Sequence, residues 1–218
     1  MKKLVIAIDG PSGVGKGTIS RTISESLGYR HLDTGAMYRA IGWKALRDGI
    51  DLDDEGAVAD LARAAAIVIE RGNVLIDGHD VTRAIRTPEI DRAATRVARL
   101  PRVRQVLVAQ QRALADAGGI VMEGRDIGTV VCPDADVKIY LDASPEERAR
   151  RRVNDPAHSG GAASQAAVAE AIAARDKSDS TRPVSPLMIA DDAVVIDTTE
   201  MTIDDVVQRV MDVVDRRS

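Results

Sequence analysis

The chain has 218 residues, a net charge of −4 and 2 % aromatic residues, with no phenylalanine. That length fits one domain with a sizeable core and room for an inserted subdomain. The charge argues against broad electrostatic binding of nucleic acid, and the shortage of aromatics against a base-stacking surface, so no nucleic-acid partner is expected.

Lys2 and Lys3 precede an apolar run at residues 4–8 that has only strand length. It is too short for a signal peptide or a membrane span, so no membrane association is expected. Val5, Ile6, Ala7 and Ile8 read as a strand buried on both faces of a parallel sheet. The strand runs into Gly-Pro-Ser-Gly-Val-Gly-Lys-Gly-Thr at residues 10–18. Gly10, Gly13 and Gly15 let successive amides turn inward. Pro11, Ser12 and Val14 complete the loop, and Lys16 stands at the start of the next helix. Amides, helix terminus and ammonium converge on one anion, the chemistry of a triphosphate-binding loop. Ser or Thr usually follows the lysine as a Mg2+ ligand. Here Gly17 follows, and the hydroxyl comes one place later at Thr18. No direct protein ligand to a metal is therefore assigned. Mg2+ is expected to arrive with the triphosphate, held by phosphates and water near Thr18.

Ile19, Ile23 and Leu27 recur at helical spacing, and Gly28 is placed to end that helix. Asp33-Thr34-Gly35-Ala36-Met37-Tyr38-Arg39 leads into a second helix. Residues 66–70 and 74–77, joined by Arg71-Gly72-Asn73, read as a β-hairpin that interrupts the alternation. It is either an inserted subdomain or an edge hairpin. Thr95 and Pro101-Arg102-Val103-Arg104 follow. An apolar strand at 119–122 ends in Glu123-Gly124-Arg125-Asp126, where residues past a strand's carboxyl end line the ligand crevice. Cys132 is the only cysteine, which excludes an internal disulfide and fits a cytoplasmic setting. Strands are expected at 137–141 and 194–196. Ser144, Pro145 and Glu147 form an N-cap, a first-turn proline and a capping-box glutamate. Arg148, Arg150, Arg151 and Arg152 precede a stretch of small residues at 155–164. Together they read as a lid over about 152–165, or as a solvated helix face beside a surface loop. Arg175-Asp176-Lys177-Ser178-Asp179-Ser180-Thr181-Arg182 is a further Arg-Asp cluster. Thr202 with Asp205 starts the last helix, whose apolar face is Ile203, Val206, Val207, Val210, Met211 and Val214. His31, His79 and His158 have no ligand spacing and carry no assigned role.

Alternating strands and helices predict an α/β fold: a three-layer α/β/α domain around a five-stranded parallel sheet, with a lid and a small antiparallel subdomain. Each Arg-Asp cluster taken singly could be surface ion pairing. Together with a phosphate loop they suit two phosphorylated ligands end to end, because arginine clamps phosphate through two parallel bonds. That is the need of a kinase acting on a phosphorylated acceptor.

The strings at 10–18 and 33–39, Ile-Arg-Thr-Pro-Glu-Ile at 85–90, Pro-Arg-Val-Arg at 101–104, Glu-Gly-Arg-Asp-Ile-Gly-Thr-Val-Val at 123–131 and Val-Lys-Ile-Tyr-Leu-Asp-Ala-Ser at 137–144 together resemble bacterial cytidylate kinases. The resemblance runs nearly end to end. It implies a single kinase domain over 1–218, with a monophosphate-binding region near 34–100 and an insertion near 63–100. It implies ATP-dependent phosphorylation of CMP and dCMP, with residues 10–18 on ATP and Lys16 on its β/γ oxygens. Arg39, Arg125 and Arg182 would clamp the CMP phosphate, in a site that includes Thr34, Gly35 and Tyr38. Arg175 and Asp179 would reach the ribose. Thr95, Arg104 and Asp126 would read the base, and Arg151 would contact the transferring phosphoryl. Lys16, Arg125, Asp126 and Arg151 are thus the implied catalytic set. Thr at 34 and 95 keeps the hydroxyl of the family's frequent Ser. Ser178 stands where relatives can carry Arg. A cytoplasmic monomer is expected. The remaining alternatives are another phosphotransferase of this fold, taking UMP, AMP or a metabolite, and a non-catalytic nucleotide switch.

Overall fold

A computed structural model describes residues 3–70, 72–155 and 164–217. Most of the expected lid, 156–163, lies outside the described residues, as does His158.

The five-stranded sheet has the order β2-β6-β1-β7-β8, formed by β1 (Val5–Asp9), β2 (Arg30–Asp33), β6 (Ile120–Gly124), β7 (Val137–Asp142) and β8 (Val194–Asp197). β1 pairs in parallel with β6 and β7, and β7 with β8. β1 is therefore central, and its side chains are buried from Ile6 to Asp9. The unbroken apolar run is what such a strand requires. The second strand, Arg-His-Leu-Asp, was not anticipated; among its residues only Leu32 is buried.

The chain divides into two compact units. The first carries the five-stranded sheet. Its core joins Ile6, Ile8, Val121, Ile139 and Leu141 of the sheet to Ile19 and Ile23 of α1 (Lys16–Leu27) and to Val206, Val210 and Val214 of α8 (Ile203–Asp215). Gly28 closes α1 in the left-handed conformation at φ 65°. Thr202 and Asp205 form the expected reciprocal capping box. Ile203, assigned to the apolar face, is exposed. Ser144 caps α6 (Pro145–Val153) by accepting from the Glu147 amide. Glu147 does not cap in return. Its carboxylate takes hydrogen bonds from Arg150 and Arg151 instead, because guanidinium forks one turn away outcompete a single backbone amide.

The second unit runs over Asp33–Gln111. The predicted hairpin is present as β3 (Ile67–Glu70) and β4 (Asn73–Ile76), with β5 (His79–Asp80) added antiparallel. These three strands form a sheet of their own, so the edge-hairpin alternative is excluded. Four helical segments complete the unit: α2 (Thr34–Arg47), α3 (Glu55–Ala64), α4 (Pro88–Val97) and the first turns of α5 (Pro101–Ala115). α2 and α4 approach closely at Gly42, where a Cβ would come within 3.1 Å of the Ala93 methyl. Both helices open with local caps: the Asp33 and Thr87 side chains accept from Ala36 and Ile90.

Gly10, at the exit of β1, has φ 149°, and a Cβ there would lie 2.1 Å from the Leu141 carbonyl oxygen. Neither strand can yield, since both are central. Gly10→Ala is expected to lower unfolding free energy by about 1–3 kcal/mol through overpacking, read as a lower urea midpoint at unchanged m.

Candidate active site

The glycine-rich loop at residues 10–18, the expected donor loop, leaves the carboxyl end of β1, where open α/β sheets hold their ligands. Lys16 is buried at 7 % exposure. Its ammonium donates to the carbonyls of Gly10, at 2.8 Å, and Pro11, at 2.7 Å. Burial pulls its pKa well below the usual lysine value, Arg125 and Arg175 pull the same way, and Glu123 and Asp9 oppose them. An ammonium curled onto its own loop and crowded by cations is a site short of negative charge.

The loop is braced from behind. The Ser12 amide donates to Asp176 at 3.2 Å, and its carbonyl accepts from Arg148 at 3.3 Å. Arg148 and Asp176 also pair with each other. Gly13 passes so near α6 that a Cβ would sit 2.9 Å from the Arg148 carbonyl. Arg151 donates to Glu147, to the Thr198 hydroxyl and carbonyl, and to the Val14 carbonyl at 3.3 Å. Its guanidinium is thus spent on structure beside the donor loop. Thr18 is exposed on the first turn of α1.

Four of the expected acceptor residues meet in two ion pairs within the same unit. Arg125 donates through Nε to Asp179 at 2.8 Å, and Arg182 pairs with Asp126 at 3.2 Å. Asp179 lies in α7 (Gln165–Thr181) and Arg182 is its C-cap. Burial pushes the Asp179 carboxyl up, but Arg125, Arg175 and Arg182 outweigh it and hold the group below the usual carboxylate range.

Arg175 also lies in α7 of the first unit, and the second unit holds Thr34, Gly35, Tyr38, Arg39, Thr95 and Arg104. Arg39 is buried in α2; its Nε pairs with Asp91 at 3.2 Å and its Nη1 lies 3.6 Å from Asp33. Asp33 also receives Arg86 at 3.4 Å. A Cβ on Gly35 would lie 3.4 Å from Arg39 Nη1, so the glycine lets that guanidinium pack close to the helix start. Thr34 is buried beside it. The Arg104 guanidinium stacks on Tyr38, 5.5 Å from the ring centroid, which fixes a planar donor at a set angle. Thr95 donates to the Asp91 carbonyl one turn back, leaving its oxygen's acceptor capacity available.

A cytidylate kinase family model matches residues 6–216. The chain belongs to the cytidylate kinase family. It is 49 % identical over 211 residues to a cytidylate kinase of Pelotomaculum thermopropionicum, covering 94 % of this chain and 93 % of that one. It is 50 % identical over 220 residues to one of Rhodococcus opacus, covering 99 % and 96 %. Among solved structures, a shikimate kinase from Bacteroides thetaiotaomicron superimposes with a TM-score of 0.53 at 9 % identity, covering 98 % and 99 % of the two chains, a likeness of fold alone.

Two groups in this cytidylate kinase fold gain partners that the sequence does not show. Glu123, buried at the end of β6, pairs with His31 Nε2 at 2.9 Å, so the histidine taken as inert orients a carboxylate. A Cβ on Gly17 would lie 3.5 Å from that carboxylate, so position 17 faces a hard oxygen donor of the kind Mg2+ prefers. Among the described residues no three His, Cys, Asp or Glu side chains are grouped to hold a metal by themselves. Asp9, the last residue of β1, is the other; its carboxylate accepts from the amides of Ile127 and Gly128. A buried carboxylate between an apolar strand and a glycine loop was the available signal. No described helix is long and apolar enough to cross a membrane.

Asp179→Asn leaves Arg125 facing a neutral partner and is expected to cost roughly 3 kcal/mol, the low end for breaking a buried pair. Because the native pKa is depressed, the carboxylate's contribution is complete above the unfolded value and is lost as pH falls through the native one. The gap to wild type in urea unfolding should therefore be widest near neutrality and close below about pH 4.

Proposed function

We propose that the chain transfers the γ-phosphoryl group of ATP to CMP or dCMP, giving ADP and CDP or dCDP. The observation that carries this reading is the buried Lys16 loop, set among Arg125 and Arg175, in a chain matched over its whole length by cytidylate kinases. The roles follow residue by residue. The backbone N–H groups of the 10–18 loop other than Pro11, together with Lys16, take the β- and γ-phosphates, and the anion draws the ammonium off the Gly10 and Pro11 carbonyls. Arg39, Arg125 and Arg182 take the acceptor phosphate, with Thr34, Gly35 and Tyr38 around Arg39. Arg175 and Asp179 take the ribose. Arg151 reaches the transferring group only on leaving Thr198.

The attacking oxygen of CMP is already anionic at neutral pH, so no general base is required. It displaces ADP in line at the γ-phosphorus, and the protein contributes positioning and charge neutralisation. Mg2+ bound with ATP would neutralise phosphate charge, and Glu123, the carboxylate facing position 17, is the residue that would help hold it. Excluding water keeps ATP from being hydrolysed instead, the service a lid over 152–165 would perform.

Base choice rests on hydrogen-bond polarity. Cytosine presents an amine donor and two acceptors. Asp126 or the Thr95 oxygen accepts from the amine, and the Arg104 fork donates to the acceptors. Uracil would set oxygen against carboxylate and N–H against guanidinium. Each unpaired group in a dry site costs ~1–3 kcal/mol, so rejection by 10-fold to several hundred-fold is expected. On the same reading the enzyme works as a cytoplasmic monomer. Cys132, the one cysteine of the sequence, is a free thiol, which suits a reducing compartment.

Coupled ADP release against CMP, dCMP, UMP, AMP and GMP tests the assignment. Turnover should be fastest with the two cytidine nucleotides, and acceptor-independent release would overturn it. Lys16→Ala should nearly abolish transfer. Asp126→Ala should lower kcat/KM for CMP more than for UMP; an unchanged CMP/UMP ratio removes Asp126 from base reading.

A further inference from the structure

The carboxylate of Asp9 has no role in the chemistry above, yet it is 5 % exposed at the exit of the central strand. Its two oxygens are used separately. Oδ1 accepts from the Ile127 amide at 2.9 Å and Oδ2 from the Gly128 amide at 2.8 Å. Those amides open a short π-helical turn, Ile127–Val131, in which the Val131 and Cys132 amides reach back five residues to Asp126 and Ile127. Wide turns of this kind are uncommon and cluster at functional sites. Their first amides have no partner inside the turn, and a carboxylate facing a helix start supplies one. Gly128 fits the same junction: a Cβ there would lie 3.5 Å from Asp9 Oδ2 and 3.2 Å from the Lys138 stem. The two residues just before the turn are Asp126 and Arg125. The residue just after Asp9 is Gly10, the first of the donor loop. One side chain therefore ties the root of the ATP loop to the root of the acceptor-facing pair.

We propose that Asp9 is a positioning residue: it clamps the Ile127 and Gly128 amides and thereby aims Arg125 and Asp126 at the acceptor nucleotide. This rests on the reading that those two residues contact CMP. The energetics agree. Burial raises the Asp9 carboxyl to about 6, the two amides oppose that rise, Asp126 adds to it and Lys16 opposes it. The other side chains whose titration feels Asp9 are the Cys132 thiol and the Tyr140 phenol, both held neutral by burial. A native pKa above the unfolded one means that ionisation favours the unfolded chain. Stability is full below the unfolded value and is lost as pH rises through about 6. At neutral pH the charge works against the fold, so the gain from keeping it lies in geometry.

Asp9→Asn preserves shape and removes one acceptor and the charge. At about pH 8, KM for CMP should rise about 10-fold or more, while Kd for a non-hydrolysable ATP analogue, measured without CMP, stays within about 2-fold. The melting temperature of Asp9→Asn relative to wild type should be most favourable near pH 8 and should worsen toward about pH 5. Gly128→Ala, which enters the junction from the other side, should give the same split between CMP and ATP, and it serves if Asp9→Asn does not fold. An unchanged KM for CMP in both variants overturns the proposal. So does a parallel loss of CMP affinity, ATP affinity and melting temperature, the mark of a purely structural residue. Asp126→Ala and Arg125→Lys run alongside. If either raises KM for CMP while Asp9→Asn and Gly128→Ala do not, the positioning role fails and the acceptor assignment stands. If neither changes KM for CMP, the acceptor assignment fails and the proposal falls with it.

Discussion

The protein depends on one buried cation. Lys16 sits at the mouth of the central strand with its ammonium on two carbonyls of its own loop, and burial together with Arg125 and Arg175 makes its charge hard to hold. Nearby carboxylates meet part of the need: Glu123 and Asp9 act on Lys16 directly, while Asp126 and Asp179 are committed to Arg182 and Arg125. On the proposed reading, a polyphosphate supplies the remainder. Charge interactions that are weak in water become strong there because the ammonium is buried.

Much of this was readable along the chain, because the features involved are local. A buried strand, a glycine turn and a helical stripe lie within residues 4–28, and the caps at Ser144 and Thr202 span four residues each. The hairpin was visible in two β-branched runs around a glycine. Its independence from the main sheet was not, since strand order is a property of the folded chain.

What stayed hidden depends on distant partners. Asp9 and Gly128 are 119 residues apart, Ser12 and Asp176 are 164 apart, and His31 and Glu123 are 92 apart. No periodicity records such pairs. β2 escaped because a strand with one buried side chain leaves no alternation to detect. Glu147 was misread for the opposite reason: a capping-box pattern was present, but Arg150 and Arg151 offered its carboxylate stronger donors. For the acceptor residues the motifs gave identities, whereas the partners that hold them, such as Asp91 for Arg39 and Tyr38 for Arg104, emerged only from packing.

The most direct test of this account is to follow the fate of the γ-phosphorus by 31P NMR in a mixture of ATP, Mg2+, CMP and enzyme. A site built to neutralise and align two phosphates while excluding water should convert ATP and CMP to ADP and CDP in equal amounts, with no inorganic phosphate until CMP approaches its equilibrium level. Inorganic phosphate appearing from the start, at a rate indifferent to CMP, would contradict it.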